Sequence, residues 1–305
     1  MSRLAWIQLY RDAVVVHRLE FPFSVNYLCY ASWGACFAVD GAFRPPYAVL
    51  VLAAVANLLL IVAGLALNTA ADVGTDEYHH ERAHLAAAAR RLGRGRVVRW
   101  AATEMILALL LAGALAVWSM RPVVVAAAAV IVVLQVLYNV EPVRLKRRGL
   151  TGVAAFCASV AVLPFLLSYW VVRPDLVAWA GPILAGLGCL AVGRMMVWSI
   201  PDRAVDAMTG MRTPSVRYGP SGTLTRSIVV TLAGVVLTCW GLWWRYGPGW
   251  ALPPVALQAA FLGALPLPWH AGRDALRSSV RIRHWAMAPV LAGTLAITII
   301  PLVAA

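Results

Sequence analysis

Charge is scarce in this chain of 305 residues. Only 13% of them are Asp, Glu, Lys or Arg, about half of the roughly 25% found in an ordinary soluble domain. So little charge leaves most of the outer surface facing something apolar, and a polytopic membrane protein with the lipid bilayer as solvent is the reading that follows. Lysine is almost missing; Lys146 is the only one. Long hydrophilic stretches are missing too. The net charge of +13 therefore has no separate domain with which to bind nucleic acid. No C-x-x-C pair occurs. Cys29, Cys36, Cys157, Cys189 and Cys239 are scattered through apolar runs, which argues against a disulfide framework or a thiolate metal centre. The first twenty residues carry Arg3, Arg11, Asp12, Arg18 and Glu20 and no long apolar core. No cleaved signal peptide is expected, and the first spanning helix serves as its own insertion signal.

What the chain does have is apolar length. It is 62% hydrophobic with a mean hydropathy of +0.77, and a bilayer core takes roughly 20 apolar residues per helix. Runs near 22–40, 47–70, 99–119, 122–139, 150–170, 176–198, 225–243, 251–270 and 285–304 meet that length. The expected fold is all-α: residues 1–305 as one transmembrane bundle of about nine helices around a central cavity. Alternate connections are rich in arginine. One set holds Arg82 to Arg99, then Arg144 to Arg148, Arg203 to Arg226 and Arg273 to Arg283, while the other offers only Arg44, Arg121, Arg173 and Arg245. The positive-inside rule places the arginine-rich set, with the N-terminus, in the cytoplasm of a cell (inner) membrane protein. Two connections on that side are long, near 71–98 and 199–224, and long connections in compact bundles are usually functional.

Both begin with carboxylates. Of thirteen acidic residues, Asp72, Asp76, Glu77 and Glu81 follow the second span and Asp202 and Asp206 follow the sixth. In Asn68-x-x-x-Asp72-x-x-x-Asp76 each member is turned about 40° from the last, so an amide and two carboxylates form one stripe. Like charges at this spacing repel, and a helix C-terminus disfavours anions. Both costs point to a compensating cation, and hard oxygen donors without cysteine suggest Mg²⁺. Asp202-x-x-x-Asp206 repeats the pair and runs on to Gly210-Met211-Arg212-Thr213. A diphosphate bridged by metal fits between two such pairs, with Arg144, Lys146 and Arg212 neutralising the remaining charge.

Competing readings have weight. One acidic pair at a helix end is commonly a solvated cap; two, each opening a long connection on one face, favour a site. Arg147 and Arg148 read as topogenic. His79, His80 and His84 do not form H-E-x-x-H and read as residues of a flexible interfacial loop rather than metal ligands. A transporter would place ionisable residues near the midplane, whereas few charges beyond Glu104 and Arg194 lie inside these spans.

Three segments together resemble the UbiA superfamily of intramembrane prenyltransferases. Asn68-Thr-Ala-Ala-Asp72-Val-Gly-Thr-Asp76 is similar to its N-D-x-x-D-x-x-x-D. Asp202-Arg-Ala-Val-Asp206-Ala-Met-Thr-Gly210-Met-Arg212-Thr213, followed by Val216-Arg217-Tyr218-Gly219, resembles its second acidic motif. Tyr138-Asn-Val-Glu-Pro142-Val-Arg144-Leu145-Lys146 is similar to its Y-x-x-x-P-x-R-L-K. Order and spacing agree over nearly the whole chain. Two departures stand out: Thr69 replaces an acidic residue, and Ser199 stands where a first Asp often sits.

The resemblance implies a Mg²⁺-dependent prenyltransferase. Asp72, Asp76, Asp202 and Asp206, with Asn68, would hold the metal. Arg144, Lys146 and Arg212 would bind the diphosphate. Arg18 and Asn26 match a diphosphate-contacting and a cavity-lining position, and Tyr138 a residue that contacts phosphate or shields the cation. The partners are a prenyl diphosphate and a small acceptor, most often aromatic. A terpene cyclase that ionises the same substrate without an acceptor is the alternative that the thinned acidic motifs keep open.

Overall fold

The computed structural model describes residues 3–39, 46–79, 82–265 and 275–304, with the backbone alone over 275–286. Arg44, His80, Glu81 and Arg273 lie outside the described residues, as do the side chains of Arg277, Arg281 and Arg283. Among the described residues every regular element is helical. Each apolar run of the sequence overlaps a helix among the described residues. These are α2 (Phe23–Ala38), α3 (Tyr47–Ala71), α6 (Arg94–Ser119), α7 (Val123–Asn139), the continuous α8–α9 (Leu150–Cys157 and Leu163–Val172), α10 (Ala180–Trp198), α12 (Pro214–Tyr246), α13 (Pro248–Gly263) and α14 (Ala275–Val303). Among the described residues, five are long and apolar enough to cross a membrane: α3, α6, α8–α9, α10 and α12. The chain is thus an all-α polytopic membrane bundle.

The arginine-rich end is more ordered than two long loops imply. The connection after α3 folds into a single turn, α4 (Val73–Asp76), and a short helix, α5 (Ala83–Leu92). The connection after α10 forms α11 (Arg203–Met208). An N-terminal helix, α1 (Arg3–Val16), lies against α5, where Arg91 grips Asp12 with Nε and Nη2 at 3.0 and 2.7 Å. Helix α12 begins eleven residues before the apolar run because its first segment is polar (Arg217, Ser221). It is set at an angle by Gly219, whose φ of 71° is open to glycine, and by Pro220, which cannot donate to the helix ladder.

Close backbone approach holds the bundle together where side chains are small. A Cβ on Gly34 of α2 would lie 1.8 Å from the Phe165 carbonyl oxygen of α9, so only glycine allows this crossing. Beside it, fully buried Asn57 of α3 donates Nδ2 to the carbonyls of Ala31 (2.9 Å) and Pro164 (2.7 Å), tying α2, α3 and α9. A turn of π-helix (Ala158–Val162) precedes Pro164. Such a turn absorbs one extra residue and often flanks a functional site. At the arginine-poor end, Arg121 donates to the Trp170 carbonyl and Arg173 to that of Ala38, satisfying carbonyls at helix C-termini.

Candidate active site

Helix α3 carries the first half of the site. Its last turn holds Asn68, and Asp72 caps it with the backbone turned out of helical geometry before α4 resumes. Asn68 is a junction. Its Oδ1 accepts from Arg18 Nη2 (2.8 Å), and its Nδ2 donates to Asp72 Oδ2 and to Asn139 Oδ1, each at 2.9 Å. Asp72 is fully buried. Its Oδ1 accepts from Arg144 Nη2 (3.1 Å), and Lys146 Nζ closes on its Oδ2. The electrostatic cost of an anion at a helix C-terminus, which in the sequence pointed to a bound cation, is met at Asp72 by the chain's own Lys146 and Arg144. Burial opposes the charge on Asp72, but Lys146, then Arg144 and Arg18, outweigh it and hold the carboxyl below its ordinary range.

Asp76, one turn on, is treated differently. It is 1% exposed, and its Oδ2 has no hydrogen-bond partner. Burial and then the charge of Asp72 push its pKa up, against the pull of Lys146 and Arg82. A buried carboxylate oxygen without a donor is costly.

The second half comes from α11. Asp202 sits at its start and accepts from Arg82; His79 Nδ1 lies 3.3 Å from its Oδ1. Asp206 Oδ2 accepts from Thr213 Oγ1 (2.8 Å), and Thr213 reaches Ser215, which donates to the Ser199 carbonyl (2.6 Å). Burial raises the Asp206 pKa, Thr213 opposes it, and Asp202 adds to it. Arg82 joins the two halves, touching Asp202 and standing 4.0 Å from Asp76 Oδ1. Burial disfavours its charge, but Asp202, then Asp76, Asp72 and Asp206, more than compensate.

These groups close one end of a cavity of about 330 Å³. Asp202, Asp206, Arg18, Arg82, Lys146 and Asn68 line its polar end, while Tyr27, Leu65, Phe156, Val160, Met195 and Trp198 are among its apolar walls. Tyr138 lines it too, its ring centroid 5.4 Å from that of Phe156. Asn26 is on the wall with its Oδ1 buried and unpartnered. Asp72 and Asp76 are not part of the lining; they contact Lys146 and Arg82, which are. Arg212 is exposed and outside the cavity lining; its backbone N–H ties the Met211–Thr213 loop to the Arg147 carbonyl (3.2 Å). His79, read from the sequence as part of a flexible loop, is buried against Asp202.

Among the described residues no three His, Cys, Asp or Glu side chains gather into a cage able to hold a metal unaided. The donor set is instead carboxylate oxygen in two pairs, one oxygen of it without a partner. That suits a hard divalent cation that takes one or two carboxylates and fills its shell with phosphate and water. Sequence reading missed Arg82 as a site residue and counted it among the topogenic arginines. The available signal was its place within the connection that opens with Asp72 and Asp76.

Comparison with known proteins identifies the family and the fold. The model of the UbiA prenyltransferase family matches residues 27–297. No curated protein is significantly similar in sequence. Among solved structures, a UbiA homolog from Archaeoglobus fulgidus superposes with a TM-score of 0.65 at 14% identity, covering 94% of this chain and 99% of that one. The same homolog bound to GPP and Mg²⁺ gives 0.66 at 14% identity and the same coverage. A structure concerned with digeranylgeranylglyceryl phosphate synthase gives 0.61 at 14% identity, covering 95% and 99%.

Proposed function

The chain belongs to the UbiA prenyltransferase family, and on that footing we propose that it is a Mg²⁺-dependent intramembrane enzyme that ionises a prenyl diphosphate and transfers the isoprenoid to a small aromatic acceptor. The observation that carries this reading is that Asp202 and Asp206 line the polar end of an apolar chamber, while Arg82 reaches from Asp202 to within 4.0 Å of Asp76 in the first acidic pair. Structures of an archaeal relative bound to GPP and to DMAPP with Mg²⁺ support it. The arginine-rich end, and with it the site, faces the cytoplasm on this proposal.

Asp72, Asp76, Asp202 and Asp206, with Asn68, would hold the metal. When bound it would neutralise the leaving diphosphate, so that the allylic C–O bond ionises. Lys146, Arg144, Arg82 and Arg18 are positioned to exchange their carboxylate and amide partners for phosphate oxygens, carrying positive charge to the leaving group. Arginine's fork suits the phosphate, and Lys146 acts as a point charge. Tyr138 and Phe156 line the chamber, whose apolar walls take the isoprenoid tail and keep water from the cation.

The test is turnover by the purified protein. Prenyl diphosphates of graded length are incubated with Mg²⁺, alone and with aromatic acceptors, and pyrophosphate and prenylated products are measured. EDTA should abolish turnover and Mg²⁺ restore it, and Asp202→Asn should lower it by at least a hundredfold in a protein that still folds. Hydrocarbon or alcohol products without acceptor would assign the chain to the cyclases. Metal-independent binding and no ionisation of any chain length would refute the enzymatic reading.

A further inference from the structure

Arg194 has no place in the machinery just described. It lies on α10 one turn before the helix ends, about 6 Å deeper than Trp198 by helical rise. Its side chain is 7% exposed and lines the cavity on the apolar side, beside Cys157 and Met195. Its Nε donates to the Leu190 carbonyl (3.0 Å) and its Nη1 to Gln258 Oε1 (3.2 Å). Gln258 is itself locked. Its Nε2 donates to the Val290 carbonyl (3.2 Å) and Thr294 Oγ1 (3.1 Å), so only its oxygen can face the guanidinium.

Two of five N–H donors are used, and among the described residues no carboxylate lies within ion-pair distance of Arg194. A buried charge is ordinarily paired. This one is held by Gln258 of α13 and, with three donors unused, lines a chamber where, on the proposed function, an allylic cation forms. An unneutralised guanidinium there would raise the energy of that cation. A bound anion removes both costs. The unpartnered Oδ1 of Asn26, which lines the same chamber, offers an acceptor for a hydroxyl or amine of a ligand there.

We propose that Arg194, oriented by Gln258, forms an anion-binding subsite that selects an acceptor bearing a carboxylate, gripped by the two-pronged face of the guanidinium. The inference rests on the prenyl-transfer reading and assigns Arg194 as a specificity residue, separate from the diphosphate end.

The experiment is calorimetric titration of the purified protein with matched probes: hydroxybenzoic and hydroxynaphthoic acids, their carboxamides, and inorganic phosphate. GPP with Mg²⁺ is titrated in parallel. At least one acid should bind tenfold or more tightly than its carboxamide. Arg194→Met should remove that preference, and so should Gln258→Glu, which sets an internal carboxylate against Nη1 at nearly unchanged size. Binding of GPP with Mg²⁺ should change less than threefold in both variants, which also shows that they are folded. Equal binding of acid and amide by the wild-type protein, or a preference surviving both variants, overturns the inference. Inorganic phosphate that binds through Arg194 and displaces the acids overturns the carboxylate assignment. Loss of GPP binding in the wild-type protein would instead sink the proposed function.

Discussion

Replacing Lys146 with methionine tests how the first acidic pair is held. The change keeps the length of the side chain and removes its charge. Lys146 and Asp72 are 11% and 1% exposed as side chains, so the pair is buried, and removing one member of such a pair costs about 3–5 kcal/mol. Asp72 keeps two other partners, Arg144 at 3.1 Å and Asn68 at 2.9 Å, so a cost below that range, about 2–3 kcal/mol, is expected for Lys146→Met. Asp72→Asn should cost about the same, by leaving Lys146 and Arg144 facing a neutral amide. The double variant leaves neither charge waiting for the other, and should be less destabilised than the sum of the singles by about 1–3 kcal/mol. Unfolding in detergent micelles by denaturant, followed by helical circular dichroism, measures all four proteins. The pH dependence carries the sign. A carboxyl whose folded pKa is depressed contributes stability that is present above its unfolded value, about 3.9, and is lost as pH falls through the folded pKa. The gap between wild type and Lys146→Met should therefore be widest above pH ~4 and vanish in stronger acid. Additivity within about 0.5 kcal/mol would show that Lys146 and Asp72 do not act as a pair.

Other positions give equally direct outcomes. Asn57→Leu keeps the volume but removes two hydrogen bonds to carbonyls from neighbouring helices. It should destabilise the bundle by about 1–3 kcal/mol, and a neutral result in the same unfolding assay would show that the tie is dispensable. Gly34→Val drives a side chain into the Phe165 carbonyl and should cost more than about 3 kcal/mol or abolish expression of folded protein; near-normal stability would refute the close crossing. His17 links α1 to α6 through Glu104 at 2.9 Å and to the Ala13 carbonyl at 2.7 Å. Burial works against the charged imidazole, but Glu104 outweighs it and raises the pKa. The contribution of this contact is complete below pH ~6.5 and is lost as pH rises through the higher folded value. Hydrogen exchange in α1, corrected for intrinsic rates, should loosen across that window in the wild type and show no such step in Glu104→Gln. Tightening of α1 instead would reverse the assignment.

How far the sequence could be read follows from which forces act locally. Apolar length marks spans because a bilayer penalises any other backbone, so each run from 47–70 to 225–243 coincides with a helix. The i, i+4 spacing of Asp72–Asp76 and Asp202–Asp206 was likewise legible, since helical pitch alone puts each pair on one face. The partners of those carboxylates were not. Arg82 is six residues from Asp76 in sequence but touches Asp202, 120 positions away, because α4 and α5 turn the chain across the mouth of the cavity. Short helices of that kind leave little periodic signal, and in a connection full of arginines one functional guanidinium looks like the rest.

The same logic separates the roles of Arg82 and Arg194 in this protein. Arg82 is raised in pKa by four aspartates, so its charge belongs to the acidic site and would be free to move only when another cation takes its place. Arg194 has no aspartate within ion-pair distance among the described residues and is fixed by neutral partners, Gln258 and the Leu190 carbonyl. A guanidinium bound only by dipoles keeps its full attraction for an incoming anion, whereas one locked in ion pairs has already spent it. Arg82→Gln should therefore disturb metal and diphosphate binding while sparing the preference of acid over carboxamide, and Arg194→Met should do the reverse. If either variant alters both properties equally, the two ends of the chamber are one electrostatic site, and the division of labour between them fails.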